Sequence, residues 1–205
     1  VSILIILLTF GMETTFFRFM NRDGENPERI YSTTLRMVAF TSVSSLVVVL
    51  ALLHPIATFL GYADHPEYVG VMYATVAIDA FMAIPFAYLR HQHKPVKFAA
   101  LKIVNIVLNI VLNVLYLIVL PALRLNPFGI YDAQFTLDVA FVFYINLCCT
   151  VCTLLMLWKE LRGFRFGFDV AACRRMLCYT WPLLIMGVAG QLTQAASQIL
   201  FPYLL

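Results

Sequence analysis

The chain has 205 residues, 62% of them hydrophobic and only 12% charged, with a formal net charge of +3. Globular proteins carry about 25% charged residues, and a soluble chain of this length has too little interior to hide so much apolar surface. The small positive charge lies on short loops, which excludes a nucleic-acid footprint and reads as a membrane-topology signal.

Six apolar stretches, 1–17, 37–53, 69–89, 96–120, 139–158 and 177–205, are predicted as membrane-crossing helices. A helix rises ~1.5 Å per residue, so ~20 apolar residues span the ~30 Å hydrocarbon core. The first stretch ends in Phe-Phe-Arg-Phe-Met-Asn-Arg, and Gly24 and Pro27 break the polar loop that follows. The second ends at His54-Pro55, and a short apolar piece, 56–62, is expected at the outer interface before the polar run Asp64-His65-Pro66-Glu67. The third carries Asp79 at its middle and Pro85 near its inner end, and a tight loop leads into the fourth, which ends at Pro121. After the fifth comes the longest basic loop, 159–176, where Asp169 is placed to cap a short helix over 170–178. The sixth is expected to begin at Trp181-Pro182, since proline is tolerated in a first turn.

All of the 14 Lys and Arg except Arg124 lie in or beside the first, third and fifth gaps between these stretches. The positive-inside rule makes those gaps cytoplasmic. Tyr62, Tyr68, Tyr88, Tyr131, Trp158, Tyr179 and Trp181 sit near the ends of the crossings, as interfacial anchors do. The five cysteines fall in apolar helices or the basic loop, which implies packing rather than a disulfide framework. The fold class expected is therefore all-α, a polytopic transmembrane bundle. The chain begins and ends inside apolar stretches and is expected to be a fragment of a longer protein.

Polar groups inside a bilayer cost ~2.5–3.5 kcal/mol when charged, so each one calls for a role. Asp79 has no charge within a helical turn, and two readings stand: it bonds a neighbouring helix, or it faces a solvated cavity. Glu13 and Lys102 lie at matched depths below the inner boundary, and an ion pair between them would offset both burials. Arg18 has the length to snorkel to the headgroups. Asn105, Asn109 and Asn113 recur every four residues and share one helix face, while Gln191, Gln194 and Gln198 share a sector of the last helix. Two amide stripes together with these charges suggest a hydrated polar interior. No metal-diphosphate, zinc, Gly-rich phosphate-loop or Ser/His/Asp pattern is present. The chain is read as a non-enzyme with no cofactor and no metal.

At this point the residues carry a resemblance. Gly11-Met-Glu-Thr-Thr-Phe-Phe-Arg-Phe-Met-Asn-Arg22 resembles the second transmembrane helix and first cytoplasmic loop of bacterial lipid-linked oligosaccharide flippases, in the multidrug/oligosaccharidyl-lipid/polysaccharide exporter superfamily. Leu60-Gly-Tyr-Ala-Asp-His-Pro-Glu-Tyr68, Ile84-Pro-Phe-Ala-Tyr-Leu-Arg90, Pro95-Val-Lys-Phe-Ala-Ala-Leu-Lys102 and Tyr179-Thr-Trp-Pro-Leu-Leu184 are similar to polysaccharide biosynthesis proteins of Bacteroidetes-type bacteria. The resemblance implies two six-helix lobes. Residues 1–158 would then be a partial N-terminal lobe, 159–176 the interlobe linker and 177–205 the first, truncated helix of the C-terminal lobe. The chain departs from the family at Ser197-Gln198, where many members carry an acidic–basic pair.

The resemblance implies a flippase in the bacterial inner membrane. It would move an undecaprenyl-diphosphate-linked oligosaccharide between leaflets by alternating access. Its partners are the lipid-linked oligosaccharide, membrane lipids and a candidate coupling ion, H+ or Na+, with no nucleic acid. The substrate or ion pathway would draw on Glu13, Arg18, Asp79, Lys102, Asn105, Asn109, Asn113, Gln191 and Gln194. Two other readings stand beside it: a cation-coupled multidrug exporter on the same fold, and a non-transporting membrane assembly subunit.

Overall fold

The computed structural model describes residues 2–22, 26–59, 61–62, 65–119, 140–161 and 167–204, and every regular element among them is helical. The elements are α1 (Ser2–Thr9), α2 (Met12–Met20), α3 (Pro27–Ala51), α4 (Leu53–Phe59), α5 (Pro66–His91), α6 (Pro95–Val114), α7 (Ala140–Met156), α8 (Trp158–Leu161) and α9 (Val170–Leu204). A π-helical turn, Leu115–Val119, prolongs α6. The external loop expected over 122–137 lies outside the described residues.

Four helical spans are long and apolar enough to cross a membrane: Pro27–Ala51, Pro66–His91, Pro95–Ile118 and Val170–Gln194. Phe141–Met156 is a shorter apolar helix. The first stretch, expected as one crossing, is instead two helices. Phe10 and Gly11 both adopt left-handed backbone, with φ of 50° and 64°, and interrupt the hydrogen-bond ladder between α1 and α2. Eight or nine residues at ~1.5 Å each cover under half of a ~30 Å core, so neither piece spans alone.

Other boundaries moved for local reasons. Asn26 accepts a hydrogen bond from the Glu28 N–H at 3.1 Å and Pro27 opens α3. That helix therefore starts ten residues before the apolar stretch and carries Arg29 and Arg36 with it. The Asp169 carboxylate accepts from the N–H groups of Ala171 (2.9 Å) and Ala172 (3.0 Å), the N-cap arrangement expected. The helix it caps does not stop at 178, however. It runs on through Pro182 as one element of 35 residues. Tyr88, expected as an interfacial anchor, stacks on Tyr31 with ring centroids 3.9 Å apart and belongs to the packing instead.

α5 is the centre of the bundle. Half of its apolar window is buried, against 11% for the α6 and α9 windows. It packs against α1, α2, α3, α4, α6 and α7. The main core joins α2, α3, α5 and the start of α9 through Phe16, Tyr31, Leu35, Ile84 and Met176. Thr15 and Thr180, both buried, share a 2.8 Å hydrogen bond that ties α2 to α9. Outward faces are apolar: Phe40 and Val47 on α3, Ile103, Val107 and Ile110 on α6, and Ile185 and Met186 on α9 are all exposed. Continuous apolar surface of this kind is unfavourable in water and at home against lipid tails, because helices satisfy their own backbone groups.

The basic gaps converge on one end of the bundle. There the Arg90 guanidinium pairs with Glu13, and the Lys97 ammonium pairs with Glu160. The Tyr31 hydroxyl donates to the Glu160 carbonyl at 2.8 Å, and the Asp169 N–H donates to Thr33 Oγ1 at 3.1 Å. These contacts bring the start of α2, the end of α5, the starts of α3, α6 and α9, and α8 together. At the opposite end Tyr68 meets Phe143 and the Tyr116 ring stacks on Phe141.

Candidate functional site

A cavity of about 480 Å³ opens between α1, α2, α5, α6 and α7. Its polar wall is Glu13, Asp79, Arg90, Lys102, Asn105, Asn146 and Thr150, and Met82, Phe86 and Phe98 supply apolar wall. Each helix delivers its groups by helical spacing. Asp79, Met82, Ala83 and Phe86 recur at intervals of three and four along one face of α5, and Phe98, Lys102, Asn105 and Ile106 do the same on α6. Asn146 and Thr150 are four apart on α7.

The charges balance, with two carboxylates and two cations. Arg90 is held on three sides. It pairs with Glu13, and its guanidinium carbon lies 5.3 Å from the Phe17 ring centre and 5.4 Å from that of Phe98. Lys102 Nζ sits 4.5 Å from the centre of the Phe86 ring, a cation–π contact that accommodates an ammonium beside apolar wall. Asp79 faces the cavity and interacts electrostatically with Lys102. Among the described residues, no hydrogen bond reaches its carboxylate.

The expected Glu13–Lys102 pair is not formed. α2 packs against α3, α5 and α9, whereas α6 joins the bundle through α5 and α7. The cation that α5 places beside Glu13 is Arg90, and an expectation of equal depth does not make two helices neighbours. Both residues still line the same cavity.

The Asn stripe divides. Asn105 lines the cavity. Asn109 donates through Nδ2 to Asn146 Oδ1 at 3.0 Å, joining α6 to α7, and Asn113 donates to both oxygens of Asn109 at 2.8 Å. Arg18 is not at the cavity; its guanidinium lies over the Tyr179 ring, 4.1 Å from the centre. Gln191 and Gln194 lie on α9, none of whose described side chains lines the cavity, and the Gln198 side chain lies outside the described residues.

Three lining residues escaped the sequence reading as site groups. Arg90 looked like a loop cation, yet it lies inside α5. Asn146 and Thr150 form no stripe by themselves, although their four-residue spacing beside the Asn face of α6 was a readable signal. Among the described residues no three His, Cys, Asp or Glu side chains cluster as metal ligands. No family model matches this chain, and neither a curated protein nor a solved structure matches it.

Proposed function

We propose that the chain is part of a membrane transporter that flips an undecaprenyl-diphosphate-linked oligosaccharide across the bacterial inner membrane for polysaccharide or lipopolysaccharide biosynthesis. The observation that carries the reading is the cavity. Amides, a hydroxyl and balanced charges line about 480 Å³ inside a bundle whose outer faces are apolar. Such a wall hydrogen-bonds sugar hydroxyls without demanding a net charge, while the lipid tail remains in the bilayer. Alternating access by rocking of two helical lobes would expose the cavity to each side in turn. The basic end of the bundle is the cytoplasmic one on the positive-inside rule.

Asp79 favours a second reading. A carboxylate facing a cavity with the Phe86 and Phe98 rings in its wall suits a cationic drug or a coupling ion, H+ or Na+, and hence a cation-coupled exporter of the same fold.

Complementation of a glycan-export defect tests both. Asp79→Asn is expected to fold and to leave lipid-linked oligosaccharide in the inner leaflet. Full export by Asp79→Asn and by Asp79→Leu would reduce the residue to a helix contact. Resistance to cationic drugs that depends on Asp79, without any glycan phenotype, would decide for the exporter.

A further inference from the structure

A second pocket, of about 400 Å³, lies at the basic end and shares no residue with the cavity. Four arginines line it: Arg18 and Arg22 from the end of α2, and Arg174 and Arg175 from the second turn of α9. Arg18 lies in the last turn of α2 and Arg22 just beyond its C-cap, and both side chains line the pocket. The buried Thr15–Thr180 hydrogen bond and the Phe19–Tyr179 ring contact hold the two arginine pairs across from each other. Among the described residues, no carboxylate lines this pocket.

The Asp169 carboxylate interacts with Arg175, whereas the guanidiniums of Arg18, Arg22 and Arg174 face the same space and repel one another, and a bound anion removes that repulsion. Guanidinium forks match phosphate oxygens bidentately, which favours phosphate over a simple halide. The surroundings say which phosphate. Arg174, Cys178, Trp181 and Ile185 follow one another at four, three and four residues along one face of α9. Trp181 is 63% exposed and Ile185 57%, so the basic pocket continues directly into an outward apolar stripe with a tryptophan at the junction. A soluble phosphate needs no such stripe, whereas a lipid does. Basic pockets between helices at the cytoplasmic face are where acidic headgroups bind.

We propose that this pocket binds the phosphate headgroup of an acidic phospholipid, its acyl chains lying along the Trp181–Ile185 face, and that the headgroup clamps α2 to α9. The proposal does not rest on the transport reading, since it uses neither the cavity nor its residues.

The test reconstitutes the full chain in phosphatidylcholine vesicles doped with phosphatidylglycerol whose acyl chains are brominated, and follows quenching of Trp181 in a Trp158→Phe background. The expected result is saturable quenching that Arg22→Gln with Arg174→Gln weakens roughly 25-fold, at ~1 kcal/mol for each lost guanidinium–phosphate hydrogen bond and tenfold per ~1.4 kcal/mol. Lys94→Gln with Lys159→Gln removes the same charge elsewhere on that end and should leave the quenching unchanged. Equal weakening by both pairs would show diffuse surface attraction and overturn the pocket. Quenching that brominated phosphatidylcholine matches would overturn headgroup recognition. Displacement of the lipid by micromolar inorganic diphosphate would reassign the pocket to a soluble anion and overturn the lipid.

Discussion

The Glu13–Arg90 pair sets a sharp energetic expectation, because it replaces the pairing that depth alone suggested. Both side chains are about two-fifths open, 41% for Glu13 and 40% for Arg90. At this exposure the pair belongs with exposed ion pairs, which contribute ~0.2–1 kcal/mol. Breaking a fully buried pair would instead cost ~3–5 kcal/mol. Glu13→Gln is therefore expected to destabilise by about 1 kcal/mol. Arg90→Gln also loses its contacts with the Phe17 and Phe98 rings, at ~0.5 kcal/mol each, for a total near ~2 kcal/mol. At ~2–4 °C per kcal/mol for a chain of this size, the melting temperature in detergent falls by about 3 °C and 6 °C respectively. The double variant should recover a coupling of about 1 kcal/mol. A parallel cycle of Glu13→Gln with Lys102→Gln should be additive to within ~0.5 kcal/mol. Coupling of Glu13 to Lys102 as large as its coupling to Arg90 would refute the helix arrangement. Coupling to Arg90 above ~3 kcal/mol would show that the pair is dry and the cavity closed to water.

Three further outcomes are expected. Asn146→Leu removes the acceptor for Asn109 and should destabilise the α6–α7 contact by roughly 0.6–1.7 kcal/mol in detergent unfolding; Asn146→Gln keeps a neutral amide acceptor and should cost less, and equal losses would mean the bond is not made. Hydrogen bonds from the Ala172 and Ala171 N–H groups hold the Asp169 carboxyl below its ordinary 3.8, so its cap is complete above that value and disappears as the pH falls through the lowered pKa. Hydrogen exchange at Ala171 and Ala172 should show this acid loss of protection in the wild type but not in Asp169→Asn, and the same pH profile in both would remove the carboxylate from the cap. Cysteines at positions 26, 93 and 163 should label from the cytoplasm and those at 64 and 133 from outside; labelling of position 133 only from the cytoplasm would invert the topology.

Hydropathy and charge were enough to read an all-helical chain with apolar outer faces, and to say that its basic loops share one end. Partition between lipid and water is a property of each residue summed along a helix, so it needs no knowledge of neighbours. The Asp169 cap was legible for the same local reason, since its acceptor acts within three residues of itself, whereas the Asn26 cap that opens α3 was not read, because Pro27 there looks like a loop breaker. Gly11 was visible in the first apolar stretch, but a glycine alone does not announce a break. The left-handed turn it forms with Phe10 became apparent only in the folded backbone. Hydropathy assigned Glu13, Lys102 and Asp79 an expected depth along the membrane normal and carried no information on azimuth. Which face of one helix meets which face of another depends on packing around α5, and that packing gave Glu13 to Arg90, Asn109 to Asn146, and Arg18 to a pocket apart from the cavity. A sequence sets the depth expected of a polar group, through the hydrophobic length on either side of it. Only the tertiary structure decides its partner, because partners come from helices that the sequence does not order around the bundle axis.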